Sequence, residues 1–238
     1  MVIYKSEAYM FFWDYTFLLL IPPLLLALYA QAKVKGTYAK YSRIPARARI
    51  TAAGVAAEIL QDAGAGGVKV ERVAGHLTDH YDPRRKVLRL SEGIYSSQSI
   101  AALGIAAHEA GHAIQHHVGY VPLHLRSVIY PVANLGSTLA FPLFFIGFIF
   151  SKSGPSILMD IGILLFAGAV VFSVITLPVE FDASKRAMAL LGDRNYLDKQ
   201  ELEGARSVLK AAALTYVAST AMAAMQLLRM FLLRQSRD

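Results

Sequence analysis

The sequence predicts a mainly α membrane protein: about four transmembrane helices with a small α+β domain set between them. Three observations predict it. Of the 238 residues, 55% are apolar, more than in an ordinary soluble domain. Four apolar windows punctuate the chain, at residues 10–30, 128–150, 157–179 and 211–233. The polar stretches between them concentrate the cations. Residues 31–127 carry 13 Lys and Arg and residues 180–210 carry six, against one each in the link 151–156 and in the head before the first window. There is no Cys, which excludes disulfides and thiolate metal sites and leaves the redox compartment unread. The net charge of +7 comes without a basic, aromatic-interleaved patch, so no nucleic-acid partner is expected.

In chain order, the first window, "MFFWDYTFLLLIPPLLLALYA", contains Asp14 and a Pro22–Pro23 pair that predicts a kink. It lacks a small-residue cleavage pattern, so 1–31 reads as an uncleaved anchor and not as a signal peptide. Residues 32–127 read as a folded domain. "TAAGVAAEILQDAGAGG" (51–67) predicts a helix ending near Gly64, "VKVERV" (68–73) and "KVLRLS" (86–91) alternate like strands, and "YDPRR" (81–85) is turn chemistry. A helix with Ser cap candidates then runs to about His117. The second window has no charge and the third only Asp160; a six-residue link makes 128–179 a membrane hairpin. A 23-residue helix is about 34 Å long, enough to cross the hydrocarbon core. Residues 180–210 predict a helix opening at Glu180. Residues 211–238, with Arg229 in an apolar run diluted by Ala and Ser, read as a transmembrane or interfacial helix.

The positive-inside rule puts 32–127 and 180–210 in the cytoplasm and the N-terminus and the 151–156 link outside. The expectation is a multi-pass protein of the cell membrane, with lipid as a partner and the folded domain cytoplasmic. Arg234 and Arg237 go mildly against the rule if the fourth window spans.

Residues 106–117, "AAHEAGHAIQHH", carry the chemistry. On a helix, His108 and His112 share a face and can point both imidazoles at one ion. Glu109, next in line, can hold the water on that ion. This is the H-E-x-x-H arrangement of two zinc ligands and a general base, and it implies one Zn2+. His116 lies two turns, about 12 Å, from His108 and cannot join that ion with it. With His117 it reads as interfacial or supporting. A metzincin would need Gly at 115 and His at 118, where this chain has Gln115 and Val118. The third ligand must come from elsewhere. The hairpin returns the chain to the face it left, so Glu180 in "LPVEFDASKRA" (177–187) is the first candidate. Asp182 is the runner-up, and His76 and His80 are weaker. The plain alternative for Glu180 is a carboxylate favoured by a helix N-terminus.

"AAHEAGHAIQH", "LPVEFDAS" and "LTDHYDPRRKVLRLS" (77–91) together resemble the YugP-type neutral zinc metallopeptidases, a family of bacterial membrane proteins. The resemblance covers nearly the whole chain. That family is similar to the HtpX and CAAX-prenyl-protease group of gluzincins, whose third ligand is a Glu on a second helix. The resemblance implies a zincin-like catalytic domain, with His108, His112 and Glu180 on zinc and Glu109 as base. In related gluzincins an Asp four residues after the Glu ligand braces the first His. Here that position is Ser184, which leaves Asp182 as another candidate brace.

"HLTDHYDPRRKVLRL" (76–90) reads either as an exposed edge strand that a substrate extends, with His80 or Tyr81 near the reacting oxygen, or as a hairpin of the domain's own sheet. Tyr216 reads as a packed aromatic before a hydrogen-bond donor. The function expected is a membrane-embedded zinc endopeptidase acting on protein or peptide substrates at the cytoplasmic membrane face. A site-2-type intramembrane protease would need an Asp ligand in an L-D-G-like motif inside a span, and no window has one. A non-catalytic scaffold with a structural metal would not need Glu109.

Overall fold

The computed structural model describes residues 14–151 and 154–237. Lys5, the first residues of the first apolar window and Lys152 of the link lie outside the described residues. A 3₁₀ turn, Tyr15–Leu20, leads into α1 (Ile21–Tyr41), followed by α2 (Ala52–Asp62), β1 (Lys69–Val73), β2 (His80–Asp82), β3 (Val87–Ser91), α3 (Glu92–Tyr95), α4 (Ile100–His117), α5 (Val121–Phe150), α6 (Ile157–Asp193) and α7 (Lys199–Gln235). The chain divides into two compact units. One holds Met1–Tyr29, Leu125–Thr176 and Thr215–Asp238; the other holds Ala30–His124 and Leu177–Leu214.

The second unit is built on a three-stranded sheet of order β1-β3-β2, with β1 parallel and β2 antiparallel to β3. The central strand is the buried one: Leu88 and Leu90 are fully enclosed. Each such Leu contributes roughly 1.5–3 kcal/mol by leaving water. Thr51 caps α2 by accepting from the Gly54 N–H, and Val55, Ala56, Ile59 and Leu60 turn one face of that helix into the core. Gly64, at φ +74°, takes the left-handed residue that closes α2. Ser99 caps α4 in the same way, through the Ala102 N–H. Asp198 and Glu201 form a reciprocal capping box at the start of α7, each carboxylate accepting the other's N–H at 2.9 Å.

The other unit packs α5, the first half of α6 and the last part of α7 around Phe144, Phe148, Met159, Ile163 and Met230. Small residues set the distance between its helices. A Cβ on Gly162 would meet the Ala140 carbonyl at 2.7 Å, and one on Gly147 would meet Met159 N at 2.8 Å. The isolated charges of the apolar windows find partners here. Arg229 donates to Asp14 at 3.1 Å and to Thr16 at 3.2 Å, and Arg234 meets Asp160 at 2.6 Å.

Four helices are long and apolar enough to cross a membrane: Tyr15–Tyr41, Val121–Phe150, Ile157–Asp193 and Lys199–Gln235. Only 11% to 33% of their apolar windows is buried within the protein, so most of that surface needs a lipid-like surrounding. Pro22 and Pro23 fall where the 3₁₀ turn Tyr15–Leu20 passes into α1, so the expected kink site is a change of winding within the helical run Tyr15–Tyr41. One expectation differs from what is found. Glu180 does not open a new helix, because α6 runs unbroken through Pro178 from Ile157 to Asp193. A carboxylate placed there for a helix N-terminus is thereby ruled out. The polar stretch 180–210 is shared between the end of α6 and the start of α7, and α7 continues through residue 211 without a break.

Candidate metal centre

The helical spacing of α4 places His108 and His112 one turn apart, with ring centroids 4.7 Å apart and the planes nearly perpendicular. The opposite face of α4 is small and apolar, with Ala102, Ala106, Ala107, Ala110 and Ala113 all buried. Gly111, between the histidines, is where the backbones of α4 and α6 come close. A Cβ there would sit 2.7 Å from the Ala183 carbonyl and 3.2 Å from its Cα. Only hydrogen at 111 allows the α4 and α6 backbones this approach.

That approach delivers Glu180. Its Oε2 lies 3.3 Å from His108 Nε2 and 3.6 Å from His112 Nε2, with the Glu180 side chain 3% exposed. Among the described residues, the His, Asp and Glu side chains that converge on one point are His108, His112 and Glu180, with ligand atoms all within 4.8 Å of one another. Zinc bonds of about 2.0–2.1 Å in tetrahedral array put neighbouring ligand atoms about 3.3–3.5 Å apart. The two measured separations lie at that edge and about 0.1 Å beyond it, and two imidazoles with one carboxylate are a donor set of catalytic zinc, which keeps a fourth position open. The residues fit the ion.

The far sides of the rings are held as well. The Ser184 hydroxyl bonds His108 Nδ1 at 3.1 Å, and Gln115 Oε1 accepts from His112 Nδ1 at 3.0 Å. The Gln115 amide is oriented by donating to the Val179 carbonyl and to Asp182, both at 2.8 Å. Asp182 is fixed in turn by Arg186 at 2.6 Å. This network assigns the His112 proton to Nδ1 and turns the Nε2 lone pair toward Glu180. Burial works against charge on His112, yet the carboxylates of Glu180 and Glu109 raise its pKa above the ordinary histidine value. The same negative surroundings favour any cation at that nitrogen, proton or metal.

Ser184 thus stands against His108, and Asp182 reaches His112 only through Gln115. Gln115 is fully buried, and its role was not read from the sequence. Its signal was there: a polar residue three positions after His112, on the same helix face.

Glu109 is not among the converging side chains. Its Oε2 accepts from the Tyr81 backbone N–H at 3.1 Å, which ties the edge strand β2 to α4. The Tyr81 hydroxyl is engaged by His116 Nδ1 at 2.8 Å. Burial, and then the charge of Asp82, raise the Tyr81 pKa, so the phenol keeps its proton. His80 turns elsewhere, toward the Thr78 carbonyl and Arg89. His76 packs edge-on against Tyr38. Tyr216 belongs to the other unit.

The comparisons with known proteins agree with one another. The family described as "Putative neutral zinc metallopeptidase" matches residues 16–235. The "Putative membrane protease YugP" of Bacillus subtilis (strain 168) is 46% identical over 211 residues, covering 89% of this chain and 92% of the relative. No solved structure matches.

Proposed function

The chain belongs to the family described as "Putative neutral zinc metallopeptidase", and from that premise we propose that it is a membrane-embedded zinc endopeptidase cutting peptide bonds at the cytoplasmic membrane face. The observation that carries this reading is the convergence of His108, His112 and Glu180 beside Glu109. In this reading the first three hold zinc. When bound, the metal supplies Lewis acidity: it polarises the scissile carbonyl and makes its water more acidic.

The rest falls to this chain's own side chains. Glu109 takes a proton from the attacking water as the new C–O bond forms, then passes it to the departing amine as the C–N bond breaks. The Tyr81 N–H holds one carboxylate oxygen of Glu109 and leaves the other for this proton. Ser184 and Gln115 keep both imidazoles aimed. The outer edge of β2 takes the substrate as an added strand, so that its carbonyls come past Glu109. The helix α4 is not one of the four apolar helices, which favours a site outside the hydrocarbon core over the site-2-type reading. The cytoplasmic assignment rests on the excess of Lys and Arg in 31–127 and 180–210. Protein or peptide substrates held at the membrane are the expected class.

Glu109→Gln tests the reading. The amide is close in shape but cannot take a proton, so the variant should retain zinc and lose hydrolysis. Metal analysis of the purified protein alongside a peptidase assay decides it. Loss of zinc from this variant would make Glu109 a ligand and overturn the assigned roles.

A further inference from the structure

Beside the cluster, the second unit holds an open basin of about 420 Å3. Its polar lining consists of Tyr81, Lys86, His116 and His117, and its other walls include Gly64 and Gly67. Three features make it more than a surface dent. First, the lining carries one ammonium and two imidazoles and, among the described residues, no carboxylate. Second, the Tyr81 hydroxyl holds the His116 ring through Nδ1 at 2.8 Å, a contact that leaves Nε2 of that ring for a ligand. Third, Lys86 adopts φ +52°, a backbone conformation that glycine takes at far less cost. A cation is kept at the rim where the turn itself would favour none.

The basin also adjoins the candidate site. Tyr81 lines it and, through its backbone, holds Glu109; Ala113, another wall, lies one turn beyond Glu109 on α4. From Glu109 to His116 is seven helical residues, about 10 Å, or roughly three residues of an extended peptide.

We propose that this basin is a specificity subsite that receives a carboxylate of the substrate, within about three residues of the cleaved bond. The inference rests on the peptidase reading above. The carboxylate comes from an Asp or Glu side chain or from the end of the substrate chain.

The test uses the full-length zinc-loaded protein in detergent and short fluorogenic peptides. One set has blocked termini and Glu, Gln or Lys at each of three positions on either side of the cleaved bond. A second set is neutral, with a free terminal carboxylate. Glu should exceed Gln at one position by about tenfold in kcat/KM, the scale of a charge-assisted hydrogen bond, with the difference mainly in KM. Lys86→Glu should reverse that preference toward Lys. Gly67→Leu should bring the Glu-to-Gln ratio toward one, because a Cβ at 67 meets nothing within 4 Å and the side chain would fill the basin. A preference confined to the free-terminus set assigns the basin to a chain end. Equal rates for Glu, Gln and the free terminus, or ratios that Lys86→Glu leaves unchanged, overturn the proposal while the peptidase reading stands. If the protein cleaves no peptide, the peptidase reading fails and binding decides the subsite. The Glu peptide should then still bind the Glu109→Gln protein more tightly than the Gln peptide by fluorescence anisotropy, and Lys86→Glu should remove that difference. Equal binding of the two peptides would overturn it.

Discussion

Two buried charged groups, one in each unit, show how differently a charge can be accommodated. Arg229 is 6% exposed and meets the carboxylate of Asp14, the hydroxyl of Thr16 and the ring of Phe17. Positive charge faces negative charge, and the arrangement is complete without any further component. Glu180 is 3% exposed and faces Nε2 of His108 and of His112. Those rings are engaged on their far nitrogens by Ser184 and Gln115. Two ring nitrogens, that of His112 with its lone pair inward, therefore converge with a carboxylate, an arrangement that favours a cation at their centre. The first arrangement holds a fold together; the second is shaped for a ligand.

The largest expected effect separates the two directly. Glu180→Ala should lower zinc affinity by orders of magnitude and abolish peptidase activity, while the protein still inserts into the membrane. Titration against a chelator reads the affinity. If Asp182→Ala strips the metal and Glu180→Ala does not, the third ligand is Asp182 and the comparison collapses.

Arg229→Leu should do the converse. Leaving Asp14 buried without this partner costs about 3–5 kcal/mol of stability. Thermal unfolding in detergent should show the loss, with zinc content per folded protein unchanged. Metal loss at temperatures where the variant is still folded would mean the two charged groups are not independent.

Smaller effects sharpen the account of how the histidines are aimed. Gln115→Leu removes the acceptor for His112 and strands Asp182 with Arg186 alone; zinc affinity should fall about 10–100-fold. Asp182→Ala, acting one residue further out, should cost less. The reverse order in the same titration would show that Asp182 does more than orient the amide. Gly111→Ala should be milder in stability, about 1–3 kcal/mol, because a Cβ overpacks the joint with Ala183. Its zinc affinity should fall as well, since the same joint sets the distance from the histidines to Glu180.

What the sequence made legible follows the range of each interaction. The pairing of His108 with His112 is set by helical spacing alone. Glu180 is 68 residues beyond His112, but the hairpin reasoning needed only the side of the membrane and no packing detail. The spacing of Gln115 from His112 was local and legible, but its tie to Val179 and Asp182 depends on which helix lies across α4, and the tie of Tyr81 to Glu109 depends on strand register. β2 is three residues long, too short for alternation to show, so the sequence offered turn chemistry from Tyr81 as well as an edge strand within 76–90, and the structure has the edge strand. The charges at Asp14, Asp160 and Arg229 were visible as exceptions in apolar surroundings, and Arg234 as a tail charge, but their pairing was not. The end of the third apolar window suggested a boundary before Glu180, yet the helix runs on through Pro178, tolerating one missing N–H.

The position of Gly111 and Ala183 in the chain has a consequence in time. The two residues that meet at this joint lie on either side of α5 and the first half of α6. A growing chain that has reached residue 127 already contains the whole H-E-x-x-H segment but no Glu180. At about 5–20 residues per second, the ribosome needs several more seconds to deliver it. The histidines therefore spend the early life of each molecule without their third partner, and the cluster closes only after both strokes of the hairpin have left the ribosome.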